Sequence, residues 1–269
     1  MTDPLTAAGL TIDDQLDLLR HGTIELEGRL IDASNTTLRG EISLTGVTGH
    51  VVYKPIRGER PLWDFPDGTL AGREVAAYLV ARAGGWNCVP PTVLRDGPLG
   101  PGSCQLWLDE TDAPAVDFLP AGAVPDDWLP ILDARDEAGN PYVLAHADTP
   151  QLAALAALDV VMNNADRKGG HVLTVADRAY GIDHGLCFHA DAKLRTVLWG
   201  WAGRPLPTAA GTALATLAKA IDADLATQLA ALLTSAEVAA MRHRLAALQA
   251  ARSFPMPPGD RPAVPWPPI

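Results

Sequence analysis

This chain of 269 residues is poor in cysteine, in basic residues and in long apolar runs, and each shortage excludes a class of function. Its three cysteines, Cys88, Cys104 and Cys187, are odd in number and far apart, so they make neither a disulfide framework nor a CxxC zinc site. They read as small buried apolar residues. Lys and Arg number 21 against 32 Asp and Glu, a formal net charge of −11, which leaves nothing to concentrate on a nucleic-acid backbone or an anionic membrane. No segment has the ~18 uninterrupted apolar residues of a membrane span. The opening MTDPLTAAGLTIDD is acidic where a leader would be basic and then apolar. The expectation is a cytoplasmic protein with no nucleic-acid partner and no stable membrane association.

What is present is an apolar content of 48%, enough for one large domain or two modest lobes. Residues 23–31, 38–44 and 50–53 alternate or are β-branched, with turn residues between them, and predict three short antiparallel strands. The run AGREVAAYLVARA, residues 71–83, predicts a helix with Val75, Leu79 and Val80 on one buried face and a Gly84-Gly85 stop. Two further strands, 89–94 and 105–108, are joined by the loop DGPLGPG. The acidic, proline-punctuated stretch 109–130 then marks a lobe boundary near Asp109. Beyond it come a hairpin (129–134 with 142–146) and a helix with Thr149 as N-cap and Pro150 at its first position, ending at Asn163-Asn164. A second hairpin, 171–175 with 179–182, follows, and then two helices within 208–251, the second opened by the capping-box spacing of Thr234 and Glu237. After Phe254 a proline-rich tail carries no fold of its own. The fold class is α+β in two lobes, with residues 1–109 β-rich, 110–254 mainly helical and 255–269 the tail.

Three fragments carry chemistry as a set: VVYKP (51–55), NNADRKGGHVL (163–173) and GIDHG (181–185). Alone, each is an ordinary strand end or loop. Together they give a strand lysine, Lys54, a helix glutamate, Glu74, a loop aspartate, Asp166, a short hairpin, and a second aspartate, Asp183, with glycine behind it. This is the chain order used for phosphoryl transfer from a bound nucleotide. The hairpin returns the chain so that both carboxylates face one cleft.

On these residues the chain resembles the phosphatidylinositol 3- and 4-kinase-like atypical kinase family, in its actinobacterial branch. The matching motifs are Tyr53-Lys54-Pro55, Asn164-Ala165-Asp166-Arg167 and Ile182-Asp183-His184-Gly185, and the resemblance spans residues 28–188. It implies a two-lobed protein-kinase-like fold and a kinase that moves the γ-phosphate of ATP to a hydroxyl with Mg2+ or Mn2+. Lys54 would meet the α- and β-phosphates and Glu74 would hold its ammonium. Asp166 would orient or deprotonate the acceptor hydroxyl, and Asp183 would bind the metal bridging the phosphates.

Several positions carry two readings. The loop 32–37 lacks the usual glycines, so backbone amides with Ser34, Asn35 and Thr36 would cradle phosphate, or it is an ordinary polar turn. Arg73 competes with Glu74 for the inward position on its helix. Trp107 and Leu108 line an adenine pocket or simply fill the core. His171, the fifth residue after Asp166, stands where the resembled families carry Asn; as a metal ligand it suits manganese better than magnesium, and otherwise it is structural. Asp159 and Asn164 shape the loop, and Arg167 pairs with an acidic residue or with the acceptor. Trp199, Trp201 and Arg204 shape an acceptor site or are core. AMP transfer to a protein and a nucleotide-sensing pseudokinase remain alternative functions. The net charge favours a soluble small molecule or a protein as acceptor over an inositol lipid.

Overall fold

The computed structural model describes residues 9–30, 35–66 and 69–269. The fold is α+β, with a β-sheet-rich N-terminal region and a helical C-terminal part. The order opens with a helix, α1 (Ile12–His21), that the composition of the N-terminus does not predict. Thr11 caps it, its hydroxyl accepting from the Asp14 amide while the Asp14 carboxylate accepts from the Thr11 amide. Leu16, Leu18 and Leu19 bury its apolar side.

Five antiparallel strands follow, β1 (Thr23–Arg29), β2 (Leu38–Leu44), β3 (Val47–Pro55), β4 (Thr92–Gly97) and β5 (Gly100–Leu106), in the order β1-β2-β3-β5-β4. The run DGPLGPG is not the open loop its glycines and prolines suggest. Pairing continues until Gly97 faces Gly100, leaving a two-residue turn. Gly100 takes φ +96 there, and a Cβ on Gly97 would lie 2.6 Å from the Tyr53 ring, so these glycines let an aromatic ring close on the hairpin. Between β3 and β4 runs α2 (Leu70–Gly84), capped by the Thr69 hydroxyl.

The acidic stretch holds a strand as well as turns. β6 (Val116–Pro120), β7 (Trp128–Arg135) and β8 (Pro141–Ala147) form a second sheet in the order β6-β8-β7, so the expected hairpin is part of a three-stranded unit. Acidic residues and Pro120 mask the strand pattern there, while Val116 and Phe118 pair with His146 and Leu144. α3 (Pro150–Met162) starts at Thr149 as its capping predicts and stops at Asn163, which adopts φ 55. Leu152, Leu155, Leu158 and Met162 are fully buried; truncating one such leucine costs about 2–5 kcal/mol.

The hairpin β9 (Val172–Val175) and β10 (Arg178–Gly181) leads to α4 (Thr208–Ala220), a π-helical turn at Ile221–Leu225, α5 (Ala226–Ala230) and α6 (Ser235–Ala251). Thr234 and Glu237 complete the capping box of α6. The three cysteines are buried free thiols. No described helix is long and apolar enough to cross a membrane. The tail is pinned to the body: Ala263 accepts from the Thr196 amide at 3.0 Å, and Pro268 accepts from the Gly169 amide at 2.7 Å.

Candidate active site

Lys54 stands next to the end of β3, where Val51, Tyr53 and Pro55 are buried and the lysine points to the other face. Its Nζ lies 2.5 Å from Glu74 Oε1 and 2.9 Å from Asp183 Oδ1. Glu74 is 3% exposed on α2, and its second oxygen accepts from the His184 amide at 3.0 Å. One carboxylate thus ties strand, helix and the Asp183 loop together. Arg73 does not displace it, because α2 is buried around most of its surface and both residues point inward. Arg73 pairs with Glu237 of α6 at 2.6 Å and donates to the Cys187 carbonyl at 2.8 Å. Burial opposes the Lys54 ammonium, but Asp183 and Glu74 outweigh it and raise its pKa. Lys54 in turn holds the Asp183 carboxyl well below the usual carboxylate range, against the cost of burial.

The loop after α3 is built around Arg167, which is fully buried. Its guanidinium makes two bonds to Asp159, at 2.8 and 3.0 Å, and donates to the carbonyls of His171 at 2.9 Å and Ile182 at 2.8 Å. A further contact, 2.8 Å, runs to His184 Nε2. A buried cation of this kind holds structure only when fully partnered. Of the two expectations for Arg167, the acidic residue is therefore the observed partner. Asn164 bonds Asp159 at 3.0 Å and accepts from the Asp166 amide at 3.0 Å, which turns the chain at the aspartate. A Cβ on Gly181 would lie 2.7 Å from Leu155 and 3.0 Å from the Arg167 guanidinium, so glycine is required for the close approach.

This framework brings Asp166, His171 and Asp183 to one cleft of about 350 Å³ lined also by Lys54, Glu74 and Lys168. Burial pushes the Asp166 carboxyl up, with Lys168 at 3.7 Å pulling the other way. His171 Nδ1 lies 2.9 Å from the Asp166 carbonyl, an acceptor, so the ring proton sits there and Nε2 presents its lone pair 3.3 Å from Asp183 Oδ2. Burial lowers the His171 pKa to about 4, which keeps the ring neutral. A neutral imidazole anchored through one nitrogen, with the other facing a carboxylate, is the donor set a divalent cation uses. The residues present fit such an ion. Among the described residues no third His, Cys, Asp or Glu joins them, so the rest of its shell falls to phosphate and water.

Asn35 and Thr36 also line the cleft, while Ser34 lies outside the described residues. Asn35 Oδ1 is engaged by the Arg60 amide at 2.9 Å. Trp107 and Leu108 are not among the lining residues. Leu108 packs with Leu106 and Leu173 on Val175 and Tyr180, whereas Trp107 donates to Asp109 and lies under the Arg39 guanidinium. Trp199 and Trp201 are core. Trp201 donates to Asp148 at 2.8 Å and stacks between His146 and Phe254, and Trp199 donates to the Ala263 carbonyl. Arg60 carries no motif signal, because its partner lies on another segment, and the motif that holds Arg167 does not show its bonds to the His171 and Ile182 carbonyls.

No family model matches the chain. It is 48% identical over 266 residues to Protein Rv2133c of Mycobacterium tuberculosis, covering 95% of each chain, and it belongs to the family of that protein. Among solved structures, its fold is similar to that in the crystal structure of the Golgi casein kinase. The TM-score is 0.51 over 93% of this chain and 75% of that one, at 16% identity. The chain therefore has a kinase-like fold.

Proposed function

We propose that this chain, as a member of that family, is an ATP- and divalent-metal-dependent kinase that moves the γ-phosphate to a hydroxyl of a soluble small molecule or protein. The finer resemblance to the phosphatidylinositol 3- and 4-kinase-like branch belongs to this reading. The observation that carries it is the convergence of Lys54, Glu74 and Asp183 from a strand, a helix and a loop on one cleft that also holds Asp166. In this reading residues 1–109 form the nucleotide-binding lobe, residues 110–254 the catalytic lobe and residues 255–269 the tail. The cluster of Leu106, Leu108 and Leu173 on Val175 and Tyr180 lies outside the lining of this cleft, so the reading rests on the phosphate end of the site.

ATP carries about four negative charges, and an acidic protein must offer local cations to hold it. Lys54 binds phosphate oxygens, with Glu74 fixing its position. Asp183 and His171 would hold a divalent ion, which when bound neutralises phosphate charge. Asp166 aligns the acceptor. The acceptor oxygen bonds to the γ-phosphorus as the bond to the bridging oxygen breaks, ADP leaves, and the hydroxyl proton passes to the Asp166 carboxylate.

Titration calorimetry with ATP, with and without Mn2+, tests occupancy, and intact-mass analysis of acceptors incubated with ATP tests transfer. A gain of one phosphate supports the kinase reading. A gain of AMP replaces it by nucleotidyl transfer, and metal-dependent binding without any transfer replaces it by a sensing module.

A further inference from the structure

One wall of the cleft is assembled from two segments that meet only in the fold. The Thr36 amide donates to the Gly58 carbonyl at 3.2 Å, and the Arg60 amide donates to Asn35 Oδ1 at 2.9 Å. A Cβ on Gly58 would lie 2.5 Å from Thr36 Cβ, so the two strips are in close contact. Next along, Glu59 turns away to accept from the Ala71 amide at 2.8 Å, where the positive end of α2 holds it. Arg60 is therefore carried on a turn anchored on both sides, with its own side chain exposed on the cleft.

The charges of the cleft single this residue out. Lys54 is held by Glu74 and Asp183, Lys168 lies beside Asp166, and His171 is held between the Asp166 carbonyl and Asp183. Arg60 pairs with no carboxylate among the described residues. Another source of anion contacts is poor here: residues 32–37 have no glycine to bring bare amides to a phosphate.

The geometry points to Arg60 as the guanidinium that binds the outer phosphates of the nucleotide and selects a triphosphate over a monophosphate. This inference rests on the nucleotide reading above. A planar guanidinium meets phosphate oxygens through two parallel bonds, which a glycine-poor loop cannot match with backbone amides alone. Arg60 thus supplies, from the turn after β3, a phosphate contact that does not depend on glycine amides in residues 32–37.

The test is titration calorimetry of wild type, Arg60→Ala and Arg60→Lys with ATP, AMP and adenosine, each with Mn2+, alongside thermal unfolding of the three proteins. Arg60→Ala should weaken ATP about ten- to a hundredfold, the worth of one charge-assisted phosphate contact, and leave adenosine unchanged. Arg60→Lys should fall between, keeping the charge and losing the fork. An Arg60→Ala variant that binds ATP as tightly as wild type overturns the inference. Equal loss of ATP and adenosine also overturns it, because the turn would then be shaping the wall and not touching phosphate. A wild type that binds none of the three ligands removes the nucleotide reading and this inference with it.

Discussion

His171 turns its Nε2 toward Asp183 Oδ2 at 3.3 Å while its Nδ1 is held by the Asp166 carbonyl at 2.9 Å. Two lone-pair donors face each other, and the cost of that arrangement falls when a cation sits between them. Imidazole is a better ligand for manganese than for magnesium. ATP binding should therefore be tighter with Mn2+ than with Mg2+, and His171→Asn, which offers an oxygen instead, should shift the preference toward Mg2+. Calorimetric affinities for both metals in both proteins decide it; identical metal preference would return His171 to a structural role.

Lys54→Ala should weaken ATP binding by about tenfold or more, since it removes the lysine held between Glu74 and Asp183. The far-UV circular dichroism should stay unchanged. A thermal-shift titration with ATP and metal provides the comparison, and an undiminished ligand-induced shift would show that Lys54 does not touch the nucleotide.

Asp166→Asn and Asp183→Asn should separate. Asp166 has no direct contact with Lys54, so its amide variant should keep ATP affinity and lose turnover by about a hundredfold or more. Asp183 touches both Lys54 and His171, so its variant should lose the metal-dependent part of binding. Calorimetry with and without Mn2+ distinguishes them, and equal binding loss in both would end this division of roles.

The residues that converge on the cleft were legible because they sit in short motifs at element ends: Lys54 after an alternating strand, Asp166 after a capped helix, Asp183 after a hairpin. The start of α3 follows from its Thr149 cap and the end of α2 from Gly84-Gly85, while the Thr69 cap of α2 shows only in the structure. What was not legible depends on tertiary contact. Asp159 and Arg167 read separately in the sequence, as a loop-shaping residue and as a cation in need of an acid, and that each is the other's partner emerges only when the loop folds back on α3. Arg60 gains meaning only where Asn35 grips its amide. β6 is hidden because the acidic, proline-punctuated stretch around it suits a linker, and only pairing with β8 makes it a strand.

Stability should fall as the pH drops below about 6.5, the ordinary histidine value. His146 is fully buried and accepts the Gly200 amide at 3.1 Å through Nε2, while burial lowers its pKa. His184 is likewise buried, contacts Arg167, and has a pKa well below the usual value. A lowered folded pKa means the unfolded chain binds more protons. The stabilisation is then present above pH 6.5 and is lost as the pH falls toward the folded value. Urea midpoints between pH 7.5 and 5 should decline in wild type and decline less in His146→Gln, which keeps an acceptor but cannot titrate. A parallel decline in both proteins would clear His146 of this effect.

The prolines of the tail suggest an extended segment without structure. Its carbonyls do specific work: Ala263 receives both the Thr196 amide and the Trp199 indole N–H, and Pro268 receives the Gly169 amide. Thr196 is paired with Arg167 in an isolated bridge, and Gly169 lies between Asp166 and His171, so the tail braces the loop that carries both. Deleting residues 263–269 leaves three donors to find water, all of them on buried residues, Thr196, Trp199 and Gly169. An unsatisfied buried donor costs about 1–3 kcal/mol, and partial hydration reduces that. The deletion should lower the thermal midpoint by several degrees and speed amide exchange at residues 165–171 and 195–199, leaving β1 and β2 unaffected. Exchange that rises evenly across the whole chain would instead mean the tail supports the fold globally, with no particular bearing on the Asp166 loop.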